Sequence, residues 1–401
     1  MRRNRALLIM LTWLLLIFLS SCAMSEIGGE STDPSVFESS AYATATSAPD
    51  TTASSYSPAP APGPAEPPQP VEITISFAGD CTFGSINAYT GQFYFPEVYE
   101  AAQSVSYPFD LVKDIFETGD LTVINFEGTL TNETEQADKQ WHFKGDAAYA
   151  KILSASSVDV ALLSNNHAFD FGEQGFTDTL NALERENIAA AYEQSPVIMW
   201  IKGIRVVIIG DCSVVGENTT VTEGVAERVL SQISQYRSPD SIIVVDMHWG
   251  SENQTKPSAW QQETARQFID AGADLVVGQH PHVLQGVELY KDKYIVYSLG
   301  NFAFGGNRLA RNRETAVLQA VFTVHPDGER SHDIAVIPCF TTSSEQVNED
   351  GVRRNNYQPV PLYGDDADAV VQVILTRSEE LAQGVPAFSV QEDGRYRSML
   401  R

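Results

Sequence analysis

Seven short apolar segments, separated by helical patterns, constrain the fold of this chain more than any other feature of its sequence. The segments are residues 71–80, 121–126, 158–163, 205–210, 241–247, 275–278 and 294–299. Helical patterns lie between them, for example at 175–186 and at 257–271, the second ending just before Gly272. Apolar strands that alternate with helices predict a mostly parallel sheet that is covered on both faces. A stretch of about 270 residues suffices for one large α/β domain or for two stacked layers of sheet.

Polar side chains with metal-binding chemistry follow six of these segments, at the points where the strands are predicted to end. They are Asp80, Asn125, Glu127, Asn166, His167, Asp170, His248, Glu252, His280, His282 and Asn301. In parallel sheets ligands bind at the carboxyl edge of the strands. Imidazole, carboxylate and amide oxygen are together the ligands of a divalent transition-metal site. Any one of these residues alone is more often a hydrogen-bonded polar residue, but their conjunction predicts a metal site.

These residues, in this order, resemble the motifs of the calcineurin-like metallophosphoesterases, and in particular those of the CapA family of capsule-synthesis proteins. The similar segments are Gly-Asp at 79–80, Asn-Phe-Glu-Gly at 125–128, Asn-Asn-His-Ala-x-Asp-x-Gly at 165–172, His-Trp-Gly-x-Glu at 248–252, His-Pro-His at 280–282 and Leu-Gly-Asn-Phe at 299–302. The resemblance covers residues 73 to 305. It implies a four-layer α/β/β/α sandwich and two divalent metal ions that clamp a phosphoryl group.

The resemblance also implies a set of metal ligands. They fall into two groups that share Glu127, namely Asn166, His248 and His280 for one ion, and Asp80 and His282 for the other. The superfamily usually has Asp-x-His at its first motif, whereas here Asp80 is followed by Cys81 and Thr82. The carboxylate of Glu127 also replaces the more usual Asp. One ion is therefore short of a ligand, or is bound by a residue that the sequence does not identify; Cys81 is either that ligand or a small core side chain.

The resemblance gives His167 the role of protonating the leaving oxygen or of stabilising charge in the transition state. Asp170 either orients His167 or is a turn residue before Gly172. The residues expected to bind substrate are Asn125, Glu252, Asn301, Arg308, Arg311 and Arg313. The three arginines suit recognition of carboxylate or phosphate, and a solvated surface turn is the alternative.

The N-terminal residues have the pattern of an export signal. Arginines at 2, 3 and 5 precede an apolar run at 6–19, which is shorter than the roughly 20 residues that span a bilayer. The run ends in Leu-Ser-Ser-Cys22, which resembles the lipobox of bacterial lipoproteins. We therefore expect a protein anchored by lipid on Cys22 to the outer face of the cell membrane, with an uncleaved anchor helix as the alternative. Residues 23–70, rich in Ser, Thr, Ala and Pro, predict a disordered tether.

Charge and cysteine content exclude two classes of protein. The formal net charge is −26, and removal of residues 1–21 would make it −29 because three arginines and no acid are lost. Non-specific nucleic-acid binding requires a basic surface and is therefore not expected. Beyond Cys22 there are only Cys81, Cys212 and Cys339, too few for a disulfide scaffold. His142, and His325 and His332 in predicted polar turns, are assigned to structure or surface.

The predicted domains are a lipoprotein signal at 1–22, the tether at 23–70, a CapA-like domain at 71–345 and an extension at 346–401. We expect the extension to pack on the core and to contain a helix capped by Asp365 or Asp366. The implied function is that of a metal-dependent phosphoesterase-type hydrolase involved in making or exporting poly-γ-glutamate, with capsule-synthesis membrane proteins as partners. A non-catalytic protein that binds the polymer or an assembly partner is one alternative, favoured by the missing histidine, whereas retention of His167 favours catalysis. A hydrolase of γ-glutamyl amide bonds that uses the same metals is the other alternative.

Overall fold

The computed structural model describes residues 69–214, 224–381, 384–385 and 388–398. Cys22, the predicted signal and nearly all of the predicted tether lie outside the described residues, so the lipid anchor remains a prediction. Within the described residues, no helix combines the length and the apolar character needed to cross a membrane.

Strands and helices alternate through most of the described chain. The strands are β1 Val71–Thr82, β2 Ser85–Ile86, β3 Leu121–Phe126, β4 Thr129–Leu130, β5 Phe143–Gly145, β6 Val160–Leu162, β7 Ala189–Ala191, β8 Val197–Ile201, β9 Ile204–Cys212, β10 Ser241–His248, β11 Leu275–Gln279, β12 Val287–Tyr290, β13 Lys293–Val296, β14 Asn301–Phe304, β15 Glu314–Val324, β16 Arg330–Phe340, β17 Val360–Pro361, β18 Ser389–Val390 and β19 Tyr396–Ser398. The α-helices are α1 Phe95–Ala102, α2 Lys113–Glu117, α3 Ala150–Ser154, α4 Gly172–Arg185, α5 Val225–Tyr236, α6 Ala259–Ala271 and α7 Gly364–Ser378.

Two large sheets organise these strands. The first has the order β18-β19-β16-β15-β1-β3-β6-β7, with β14 also pairing with β1 and β17 with β16. The second has the order β12-β13-β11-β10-β9-β8, and its four inner strands are parallel. A small third sheet joins β2, β5 and β4. In the first sheet β1, β3, β6 and β7 run parallel to one another. Strand β15 pairs antiparallel with both β1 and β16.

The two large sheets pack face to face, and each bears helices on its outer face. Strand β10 shows why: Ile242 and Val244 join the apolar core shared by both sheets, whereas Ile243 and Val245 join the core formed with α5 and α6. Alternate residues of a strand point to opposite faces, so a strand buried on both faces must be apolar throughout. A third core lies on the other face of the first sheet, with α1 to α4. The predicted four-layer α/β/β/α sandwich is confirmed.

Helix α6 illustrates how local sequence sets an element boundary. Ser258 accepts a hydrogen bond from the backbone N–H of Gln261 at 3.3 Å, and the side chain of Gln261 accepts one from the backbone of Ser258 at 2.9 Å. This reciprocal capping box supplies partners to N–H groups at the start of the helix. The helix ends at Gly272, whose φ of 118° lies in the left-handed region that glycine favours.

Two expectations about the C-terminal half are wrong. The helix expected to be capped by Asp365 or Asp366 starts after Tyr363, and both aspartates lie in its first turn, where they complement the helix dipole without capping it. His332 does not lie in a polar turn but within β16, opposite Phe322 of β15. Its ring stacks on Phe322 with centroids 5.2 Å apart, and it is 1 % exposed.

We predict that buried His332 makes the fold sensitive to acid. Burial lowers the pKa of His332 from 6.5 to about 3, and nearby Lys293 acts in the same direction. Between these values the unfolded chain binds a proton that the folded chain excludes, so stability falls as the pH falls through this window. A difference of this size corresponds to a loss of about 5 kcal/mol by the time the acid side of the window is reached.

The test is the free energy of unfolding between about pH 7 and about pH 4 for the unmodified protein and for His332→Gln, with His325→Gln as the control. His332→Gln is expected to flatten the pH dependence, because the amide does not titrate there. Equal slopes for His332→Gln and the unmodified protein would contradict the prediction.

Candidate metal centre

The polar side chains that were expected at strand ends meet at one edge of the sandwich. Asp80 lies near the end of β1 and Glu127 just after β3, both in the first sheet. His248 ends β10, and His280 follows β11, both in the second sheet. The centre is therefore built from both sheets, at the carboxyl ends of their parallel strands.

Glu127 lies at the middle of this group. Its Oε1 atom is 3.8 Å from Nε2 of His167, 3.7 Å from Nε2 of His248 and 3.9 Å from Nε2 of His282. Neither carboxylate oxygen has a hydrogen-bond partner among the described residues, and the side chain is fully buried. Burial raises the pKa of Glu127 well above its ordinary value, protonated His282 opposes this shift, and Asp80 adds to it.

His280 and His282 supply two further imidazoles from one tight turn. Both have positive φ, 93° and 57° respectively, a conformation that is uncommon for residues with a side chain. Nδ1 of His280 is buried and has no hydrogen-bond partner in the described chain. Ligand atoms of Glu127, His280 and His282 lie within 4.8 Å of one another. Buried polar atoms without partners, contributed by carboxylate and imidazole, fit a divalent cation.

The histidines differ in their electrostatic environments. Burial, with the neighbouring imidazoles adding to it, lowers the pKa of His248 and of His280 well below the ordinary value. Burial also acts to lower the pKa of His282, but Glu127 and Asp80 outweigh it and raise the pKa to about 10. His248 and His280 are therefore neutral at physiological pH, the form in which imidazole binds a metal.

Asp80 is held by hydrogen bonds, in contrast to Glu127. Asn125 donates to Oδ1 of Asp80 at 2.7 Å, and Nδ1 of His282 lies 3.1 Å from Oδ2. Nδ1 of His282 also lies 2.9 Å from Oδ1 of Asn301. Asn125 and Asn301 thus contact predicted metal ligands directly. On the other side of the centre, Oδ1 of Asn166 lies 2.8 Å from Nε2 of His248.

Nε2 of His167 faces the centre, and its Nδ1 faces the carboxylate of Asp170. Its Nδ1 lies 2.8 Å from Oδ2 of Asp170, which is fully buried. Asp170 therefore contacts the imidazole directly, and the aspartate also accepts a hydrogen bond from the backbone of Phe143. Burial lowers the pKa of His167, and Asp170 opposes that shift.

Thr82 stands where the superfamily usually has a first-motif histidine. Its hydroxyl donates to the backbone carbonyl of Glu127 at 2.5 Å, and the backbone N–H of Glu127 donates to the carbonyl of Cys81 at 2.8 Å. Two residues of strand β1 therefore form hydrogen bonds with the backbone N–H and the backbone carbonyl of Glu127. The side chain of Cys81 belongs to the apolar core between the first sheet and its helices, and burial raises its pKa.

Beside the centre is a cleft of about 510 Å³ that two of the predicted arginines line together with His282 and Asn301. Arg308 and Arg311 are exposed, and neither forms an ion pair within the described chain. Glu252 also lines this cleft. Arg313 does not: its guanidinium lies over the ring of Phe340, 3.7 Å from the centroid.

Lys139, Asn165 and Phe143 also belong to the centre, although the sequence did not single them out as site residues. The ammonium of Lys139 forms an ion pair with Asp170 and lies 3.1 Å from Nδ1 of His167. Asn165 donates to the carbonyl of Phe126 at 2.8 Å and accepts from the backbone of His167. The ring of Phe143 lies 4.1 Å from that of His167. Lys139 follows Asp138 in a polar segment, where nothing in the sequence separates it from a solvated side chain.

Comparison with known proteins gives consistent relatives. The family described as bacterial capsule synthesis protein PGA_cap matches residues 74–306. The PGA biosynthesis protein CapA of Bacillus subtilis is 31 % identical over 299 residues, which cover 70 % of this chain and 76 % of that protein. The capsule biosynthesis protein CapA of Bacillus anthracis is 33 % identical over 235 residues, 53 % of this chain and 57 % of that protein.

Among solved structures, a 5′-nucleotidase precursor from Thermus thermophilus has a TM-score of 0.40 and 14 % identity, covering 80 % of this chain and 61 % of that chain. That similarity is too weak to assign fold or function. The match to more than half of the chain, and the relative from Bacillus subtilis, are sufficient for a family assignment. This chain belongs to the bacterial capsule synthesis protein PGA_cap family.

Proposed function

We propose that this protein is a metal-dependent hydrolase of the phosphoesterase type that acts outside the cytoplasm in the synthesis or export of an anionic capsule polymer. The observation that carries the proposal is the buried Glu127 carboxylate, which has no hydrogen-bond donor in the described chain and faces three imidazoles. Membership of a capsule-synthesis family supports the link to the polymer. The lipid anchor on Cys22 and contact with capsule-synthesis membrane proteins are part of the same proposal.

Six residues would hold the metal, which we propose to be two divalent ions. They are Asp80, Glu127, Asn166, His248, His280 and His282. Bound ions would neutralise the charge that develops on a transferring phosphoryl group. Asn125 and Asn301 orient the carboxylate and imidazole that they contact, which fixes the direction in which those ligands point.

His167 would deliver the proton to the leaving oxygen. In its imidazolium form His167 would donate a hydrogen bond from Nδ1 to Asp170, which orients the ring, and would carry the transferable proton on Nε2, which faces the centre. The ring is buried beside Phe143, so bulk water does not surround the transferred proton. The guanidinium groups of Arg308 and Arg311, which have no ion-pair partner in the described chain, would bind an acidic group of the substrate in the adjoining cleft.

A second candidate function is binding of an acidic polymer without catalysis. It is favoured by the same two arginines, since a cleft lined by cations that form no ion pair in the described chain binds polyanions whether or not metal is present. Thr82 also favours it, because the usual first-motif histidine is absent. The threonine at that position instead donates a hydrogen bond to the backbone carbonyl of Glu127.

We predict that Glu127→Gln and His280→Ala each weaken metal binding. Loss of a ligand or of its charge should lower the apparent affinity for Mn²⁺ by about 10- to 100-fold while the fold is retained. The measurement is bound Mn²⁺ per chain after reconstitution, together with circular dichroism. His325→Ala, in a turn outside the centre, is the control. Unchanged metal content in both variants would show that these residues do not form a metal centre.

We predict that His167→Asn abolishes most turnover but retains metal. A general acid contributes roughly 10²- to 10⁴-fold to rate, so hydrolysis of diphenyl phosphate, whose phenolate is a poor leaving group, should fall by about that factor in Mn²⁺. Bound Mn²⁺ is measured in the same samples and is expected to match that of the unmodified protein. Full activity of His167→Asn would remove the catalytic role, and an inactive unmodified protein would favour the polymer-binding function.

We predict that Arg308→Gln combined with Arg311→Gln weakens binding of a poly-γ-glutamate oligomer to metal-stripped protein. Loss of two charge-assisted contacts should raise Kd by about tenfold or more, with weaker dependence on salt. Calorimetric titration measures Kd, and Arg185→Gln, an exposed arginine on α4, is the matched control. If the double variant and the unmodified protein bind equally well, the cleft is not the polymer site.

A further inference from the structure

Lys139 is a mostly buried cation in the irregular segment between β4 and β5. Its side chain is 11 % exposed, and the ammonium forms an ion pair with the fully buried Asp170. The same ammonium donates to the backbone carbonyl of Asn166 at 2.8 Å and lies 3.1 Å from Nδ1 of His167. It therefore contacts three residues of the loop that follows β6.

Burial of an ammonium is unfavourable unless it is paired and hydrogen-bonded, so this arrangement requires a compensating partner. Asp170 provides it, because one carboxylate oxygen meets Lys139 while the other accepts from His167. An ammonium carries three donors and no acceptor, so it cannot accept the hydrogen bond that Nδ1–H of His167 donates to the aspartate. Lys139 instead fixes the carboxylate that does so.

The contact with the carbonyl of Asn166 extends this effect to the neighbouring residue. The side chain of Asn166 lies 2.8 Å from Nε2 of His248. Nε2 of His167 points to the other side of the loop, 3.8 Å from Oε1 of Glu127. The ammonium of Lys139 thus contacts both Asn166, whose side-chain amide lies next to His248, and His167, whose imidazole lies next to Glu127.

We propose that Lys139 is a positioning residue that, through Asp170 and the Asn166 carbonyl, aims Nε2 of His167 at the leaving group. The proposal rests on the proposed function in that it takes His167 as the proton donor. Lys139 itself does not touch the substrate, and its effect is exerted on the orientation of the ring.

The first test compares Lys139→Met, Lys139→Arg and the control Lys144→Met in hydrolysis of diphenyl phosphate, whose leaving group needs a proton, with Mn²⁺. Lys144 lies over the ring of Phe171 and donates to the carbonyl of Glu133, away from His167. Lys139→Met is expected to lower kcat by about 10- to 100-fold with KM changed by less than about threefold. Lys139→Arg, which keeps the charge and the donors, should recover part of the loss, and Lys144→Met should match the unmodified protein.

The second test does not depend on turnover. In protein loaded with diamagnetic Zn²⁺, the ¹⁵N resonances of the His167 ring, assigned with His167→Asn, report which nitrogen carries the proton and whether the ring is fixed. The unmodified protein should show one set of signals with Nδ1 protonated, whereas Lys139→Met should show a second set or broadening. If Lys139→Met does not fold, Lys139→Gln, which removes the charge but keeps a side-chain donor and leaves Asp170 in place, should fold and show the same second set of signals or broadening.

The outcomes separate the two proposals. Absence of turnover in the unmodified protein would count against the proposed function, while the ring signals would still test Lys139. Unchanged ring signals and unchanged kcat in Lys139→Met would overturn the inference. Equal impairment of Lys139→Met and Lys139→Arg with unchanged ring signals would overturn it too, because that pattern indicates a purely structural lysine.

Discussion

A carboxylate that is removed from water and given no hydrogen-bond donor is unstable in its charged form, and Glu127 is in that position within the described chain. Strand β1 holds its backbone through the carbonyl of Cys81 and the hydroxyl of Thr82, so the side chain is fixed at the centre between the two sheets. Two other acids nearby have protein partners: Asp80 accepts a hydrogen bond from Asn125, and Asp170 contacts Lys139 and His167. Of these three acids, Glu127 is the one whose carboxylate has no hydrogen-bond donor in the described chain. A divalent cation would therefore stabilise the structure most at this carboxylate.

The cations near this centre stand out because the chain as a whole is strongly acidic, with a formal charge of −26. Lys139 is mostly buried and is paired with Asp170, so its charge stabilises the loop after β6. Arg308 and Arg311 are exposed in the cleft and have no acidic partner in the described chain, so their charge is available to a ligand. A local positive cleft on a negative surface attracts an anionic group to one place and repels it elsewhere.

Sequence patterns predicted the alternation of apolar strands with helices and the strand ends at which the centre lies, because such strands leave a direct signal, whereas the four layers were implied by the family resemblance. The sequence patterns did not predict the surroundings of side chains whose neighbours are distant in the sequence. His332 lies in a polar stretch and resembles a turn residue, yet pairing of β16 with β15 places it on Phe322. Arg313 looks equivalent to Arg311, but the chain turns it onto Phe340. Lys139 has no sequence signal at all, because its burial depends on a loop that lies 27 residues further along the chain.

The construction of the centre from both sheets also bears on how this family can vary. Asp80 and Glu127 are carried by the first sheet and the paired histidines by the second, and the shared apolar core sets the distance between them. Packed cores transmit displacements rather than absorb them. Exchange of one aliphatic residue for another in that core, such as at Val244 or Ile75, would therefore retune the spacing of the ligands from a distance. Divergence of chemistry among relatives could thus proceed through interior residues that never approach the substrate, while every ligand stayed the same.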